Sequence, residues 1–135
     1  MSFATRRLGI SMNQGDDFGV IITISDSSGP IDITGYEFFG EMKVDTNPET
    51  EVSAEFAFSI LTQSGSTLGQ VEWSLSNSDT SDLPASVSDA ERKNRLTTPY
   101  VFDVKMKDTG GLISRIIEGI IYLSPQVTQE DAPPA

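Results

Sequence analysis

Carboxylates are the most abundant ionisable side chains in this 135-residue chain, with 20 Asp and Glu against nine Lys and Arg and neither histidine nor cysteine. The missing imidazole removes the commonest general base and the commonest transition-metal ligand. Neither a Ser-His-Asp nor a Cys-His arrangement can be assembled. The missing thiol excludes disulfides and thiolate metal sites. Asp16-Asp17 and the scattered Asp79, Asp82 and Asp89 do not follow the D-x-D-x-D-G spacing of a calcium loop, so they read as surface or capping carboxylates. Two carboxylates can hydrolyse a glycosidic bond, but Glu72 sits on the polar side of an alternating stretch and has no evident partner. With no phosphate-cradling loop either, the chain is expected to be no enzyme and to hold no cofactor and no metal.

The bases are more informative because they are few. Glu91-Arg92-Lys93-Asn94-Arg95 gathers three of the nine, and Arg6-Arg7 two more. Such a cluster is either a solvated loop or a docking patch for an acidic partner surface. Arg6, Arg7, Glu91, Arg92, Lys93 and Arg95 are therefore the candidate interface residues. A formal net charge of -11 argues against nucleic-acid binding, which needs Lys and Arg to neutralise phosphates. The longest apolar region, Ile116 to Leu123, is interrupted by Glu118 and Gly119, so no stretch is long enough to cross a bilayer. No apolar core follows Arg6-Arg7 as in a secretory signal, so synthesis in a cytosol and no membrane contact are expected.

The elements that must position these residues are strands. Gln70 to Ser76 alternates strictly, with Val71, Trp73 and Leu75 on one side and Gln70, Glu72, Ser74 and Ser76 on the other. Tyr100 to Lys107 repeats the pattern, with Tyr100, Phe102, Val104 and Met106 in one row. Weaker versions are Leu8–Met12, Phe18–Ser25, Tyr36–Val44 and Glu55–Thr62, the last with Phe56, Phe58 and Ile60 on one face. The final run, Leu112–Leu123, is apolar on both faces. It reads either as a central strand or as a strip covered by another subunit. Turn signals separate the runs, notably Asp26-Ser27-Ser28-Gly29-Pro30 and Thr109-Gly110-Gly111. A short helical turn is expected in 77–84, capped by Asn77 or Ser78, and a second at the capping-box match Ser88-Asp89-Ala90-Glu91. The sum is an all-β, antiparallel, Ig-like β-sandwich of about seven strands with at most a short helical turn. Residues 1–13 form an arm with a possible short first strand, 14–128 the sandwich, and 129–135 a mobile tail.

Three segments taken together resemble a family. They are Gln14-Gly15-Asp16-Asp17-Phe18 through Asp32-Ile33-Thr34-Gly35-Tyr36, Gly69 to Leu75 through Asp82-Leu83-Pro84, and Tyr100 to Val104 through Ile117 to Leu123. This set is similar to the Ig-like β-sandwich structural domain of tailed-bacteriophage virions, in particular the N-terminal domain of the baseplate upper protein. The resemblance implies a non-enzymatic structural role, as an adaptor or linker in the tail, baseplate or neck. It also implies other virion proteins as partners, a multimeric state in the particle, and localisation in a virion made in the host cytoplasm. It brings no catalytic residues. The chain departs from that pattern in ending at Ala135 without a trailing domain and in inserting a polar-basic stretch, Ala85 to Thr98. A capsid decoration protein and a carbohydrate- or ligand-binding module are the alternatives.

Overall fold

The computed structural model describes residues 5–83 and 97–126. In chain order the strands are β1 (Arg6–Asn13), β2 (Phe18–Thr23), β3 (Ser25–Asp26), β4 (Gly29–Pro30), β5 (Glu37–Lys43), β6 (Ala54–Glu55), β7 (Ala57–Ile60), β8 (Gln70–Leu75), β9 (Thr98–Lys107) and β10 (Ile113–Ser124), with one short helix, α1 (Asn77–Ser81). One sheet has the order β1-β10-β9-β5-β6 and the other β2-β8-β7, while β3 and β4 form a small separate ribbon. The orders β10-β9-β5 and β2-β8-β7 are those of strands GFC and BED in an immunoglobulin domain, so the chain is an all-β, Ig-like sandwich. Every pairing is antiparallel except β1 with β10, which is parallel.

The alternation seen in the sequence becomes the core. Val71, Trp73 and Leu75 of β8 face Tyr100, Phe102, Val104 and Met106 of β9, and all are buried. Trp73 sits at the centre. Its ring lies 5.4 Å from Phe102 across the gap between sheets, 5.0 Å from Phe56 and 5.4 Å from Phe18, the last two edge-on. A second pair, Phe38 and Phe58 at 6.0 Å, links β5 to β7, and Phe58 is only partly buried.

Local rules account for the details the strand pattern leaves out. The run 55–62 is not one strand. It leaves the five-stranded sheet after Glu55 and joins the three-stranded sheet at Ala57, turning at Phe56. Phe56 N–H donates to the Gly40 carbonyl at 3.0 Å and its ring packs over that glycine, where a Cβ would stand 2.9 Å from the ring. Ile116 and Ile117 are both buried because a bulge inserts one residue between Arg115 and Ile117. Gly119 allows β1 to lie close, since a Cβ there would fall 1.8 Å from the Leu8 carbonyl oxygen.

Ser76, rather than Asn77 or Ser78, caps α1 by accepting from the Asp79 N–H. The helix is tied to the turn 14–17. Thr80 Oγ1 donates to the Asp16 carbonyl at 2.7 Å and accepts from Gly15 N–H, Asp17 Oδ1 accepts from Asn77 N–H, and Gln14 Nε2 donates to the Leu83 carbonyl. The Gln14-Gly15-Asp16-Asp17 motif is thus an anchoring corner. The second expected helical turn lies outside the described residues.

Trp73 Nε1 is buried without a hydrogen-bond partner. Trp73→Ala is therefore expected to destabilise by about 3–5 kcal/mol. Trp73→Phe keeps a ring and removes the orphaned donor, whose burial costs about 1–3 kcal/mol, so its loss should be clearly smaller. Urea unfolding of both variants checks this, and equal losses would show that ring stacking does not carry the site.

Candidate interaction face

The outer surface of the five-stranded sheet is ordered in rows across the strands. Register sets them, because directly paired residues point to the same side. One row is acidic: Glu118, Asp103, Glu41 and Glu55 lie side by side on β10, β9, β5 and β6, with Arg7 of β1 at its end. Adjacent strands are about 4.8 Å apart, so each carboxylate has another as its immediate neighbour. A row of Arg115 and Lys105 continuing to Phe39 borders it on one side. On the other lies Gly9, Ile120, Val101 and Lys43, followed by Ser11, Tyr122 and Pro99.

Like charges opposite one another in a sheet destabilise it. The structure offsets part of this. Arg115 reaches Asp103 at 3.3 Å and Glu118 at 3.5 Å, and Arg7 reaches Glu118 at 3.4 Å. Lys107 is 3.9 Å from Glu37 further along. Five of the six described bases, Arg7, Lys43, Lys105, Lys107 and Arg115, project from this one face, whereas the three-stranded sheet carries none. Beyond the charges, Ile120 is 38% and Tyr122 41% exposed. All four acids, these two apolar residues and Phe39 line one open trough of about 1070 Å³. At its rim Asp45 is held below the ordinary carboxylate value by hydrogen bonds from Thr50 Oγ1 and Asn47 N–H. Deep in the core, burial pushes the Tyr100 phenol up.

Among the described residues no group of three His, Cys, Asp or Glu is placed to hold a metal ion. Of the sequence candidates, Arg7 lies on this face and Arg6 is exposed at the start of β1. Glu91, Arg92, Lys93 and Arg95 lie outside the described residues. Glu41, Glu55, Asp103 and Glu118 were not foreseen. They are scattered over the sequence, and only strand register assembles them.

No protein-family model and no curated protein matches the chain. Among solved structures it is similar to an SrpA adhesin R347E mutant from Streptococcus sanguinis, with 17% identity and a TM-score of 0.43 over 93% of this chain. The chain spans 58% of that adhesin's length. It is also similar to the extracellular domain of the voltage-gated sodium channel beta4 subunit, with 10% identity, a TM-score of 0.37 and coverage of 94% and 98%. Murine CRIg follows at 10%, 0.35, 88% and 92%. Likenesses this distant assign neither family nor activity.

Arg115→Ala should lower stability by about 0.5–1 kcal/mol at low salt, and high salt should abolish the difference by screening the acids it leaves facing each other. A salt-independent loss in urea titrations would show that Arg115 acts through packing. For Asp45 the depressed value means that its loop bonds are complete above the ordinary carboxylate range and are lost as pH falls through the depressed one. The Asn47 amide resonance should therefore titrate below the ordinary Asp value, and Asp45→Asn should remove that transition.

Proposed function

We propose that this chain is a non-enzymatic structural protein of a tailed bacteriophage particle, an adaptor or linker in the tail, baseplate or neck. The observation that carries the interaction part is the striped outer face: a basic row, an acidic row and an apolar row on one sheet. A row of like charges is retained at a stability cost, and a partner bearing complementary stripes relieves it. Complementary charge fixes register and rejects wrong partners, and exposed Tyr122 and Ile120 supply an apolar anchor beside it. The phage assignment rests on the three sequence segments that resemble virion Ig-like domains. Localisation in the virion belongs to the same reading.

A carbohydrate-binding module is the second reading, since Phe39 and Tyr122 are exposed on the trough. Their placement counts against it. Phe39 is level with Lys105 and Tyr122 with Pro99, six residues apart along β9, or about 20 Å. Two aromatics at that separation do not clamp one sugar ring.

The test is incorporation. Ile120→Ser with Tyr122→Ser, and separately Glu41→Lys, should leave the circular dichroism spectrum unchanged, because all three side chains lie on the outer face of the sheet and none belongs to the core cluster. Both should reduce the amount of protein in purified particles. Normal incorporation would remove this face from the interface, and a protein absent from every particle fraction would remove the structural reading.

A further inference from the structure

The three-stranded sheet ends in a strand that no described residue covers. β2 pairs with β8 on one side and with no described strand on the other. Alternation of the ladder identifies the unpaired groups. Ile24 N–H donates to the Gly69 carbonyl, and Gln70 turns its own carbonyl to Leu61 on the far side of β8. Ile24, Ile22, Val20 and Phe18 therefore bond toward β8, and the N–H and C=O groups of Gly19, Ile21 and Thr23 point out of the sheet edge.

Side chains at this edge are also uncovered. Val20 pairs with Trp73 and so faces the interior, yet it is 39% exposed, while Ile21 on the outer side is 54% exposed. Edges that stay single are ordinarily guarded by lysine, proline or a bulge. Phe18–Thr23 has none of these and no charge at all. The edge of β1, by contrast, carries Arg6 and Arg7. Among the described residues the charges beside β2 are acidic: Asp16 and Asp17 precede it, Asp26 follows, and exposed Glu72 pairs beside Ile21.

We propose that the β2 edge accepts an extended strand from a partner protein, one with apolar residues at alternate positions and basic residues at its ends. The apolar positions cover Phe18, Val20 and Ile22 at the open side of the sandwich, and the outward groups of Gly19, Ile21 and Thr23 complete the ladder with the partner backbone. The basic ends meet Asp16, Asp17 and Asp26. A second copy of this chain fits less well, because pairing β2 with itself about Ile21 sets Asp16 against Asp26 twice, between molecules of net charge -11. The inference stands on the sheet edge alone and does not depend on the phage assignment or on the striped face.

The probe is a fluorescein-labelled peptide of alternating valine and threonine with a lysine pair at each end, compared with glutamate-ended and proline-interrupted twins. Fluorescence anisotropy should show the lysine peptide binding at least about tenfold more tightly than either twin. Amide exchange of Gly19, Ile21 and Thr23 should slow on binding, while Val20 and Ile22 stay as they were. Ile21→Pro removes only an outward N–H and spares the bonds to β8, so it should keep the fold and weaken the peptide about tenfold or more. Thr23→Pro serves the same purpose should Ile21→Pro fail to fold. No binding by the native chain would overturn the proposal, as would equal binding of all three peptides or unchanged binding by the proline variant that folds. So would exchange protection already present in the free monomer, which would assign the edge to another segment of the chain, or protection that grows with protein concentration, which would assign it to a second copy.

Discussion

Two sheets with no disulfide between them have to be held face to face by side chains, and here that falls to Trp73. Antibody domains bridge the same gap with a disulfide beside a tryptophan. This chain has no cysteine, and an aromatic group takes the place: Trp73 from one sheet, Phe102 from the other, Phe56 at the crossing between them and Phe18 from the edge strand. The arrangement dictates much else. Gly40 is required beneath Phe56, and the chain must change sheets at that ring for β7 to reach β8. Edge-on contacts give the rings mutual orientation as well as buried area.

Once the sheets are fixed, register determines the surface. The same pairing that puts Val104 under Gly40 puts Asp103 beside Glu41 and Glu118 on the outside. Packing and recognition are thus two faces of one hydrogen-bond ladder. A slip of one residue would exchange them, burying the acids and exposing the core. The division of charge between the sheets has the same origin: the outer positions of β1, β5, β9 and β10 carry the bases, and those of β2, β7 and β8 carry only Glu72 as a charged group.

Much of this was legible in the sequence, and the unread part has identifiable causes. Alternation in Gln70–Leu75 and Tyr100–Lys107 reports burial directly, so those strands and their buried rows were readable. The break at Phe56 was not, because an alternating run reads the same whether it stays in one sheet or crosses to another. The parallel partner of β1 was hidden for a related reason: periodicity shows that a residue is in a strand, not which strand lies beside it. The two-sided apolar character of β10 had two origins, a bulge that buries Ile116 next to Ile117 and an exposed row at Ile120 and Tyr122, and composition alone does not separate them. The candidate face was the least readable feature. Its acidic row joins positions 41, 55, 103 and 118, which share no local pattern.

The parallel pairing of β1 with β10 also bears on how the domain takes a load. Arg6 is level with Ile117 and Asn13 with Ser124, so the chain enters the pair at one end and leaves it at the other. A pull applied between residues 6 and 124 slides the two strands along each other instead of peeling them apart. Every hydrogen bond of the eight-residue ladder resists at once, and none can open before its neighbours. Tension along the chain therefore falls first on a shear clamp, and the aromatic centre behind it is strained only after that clamp gives way.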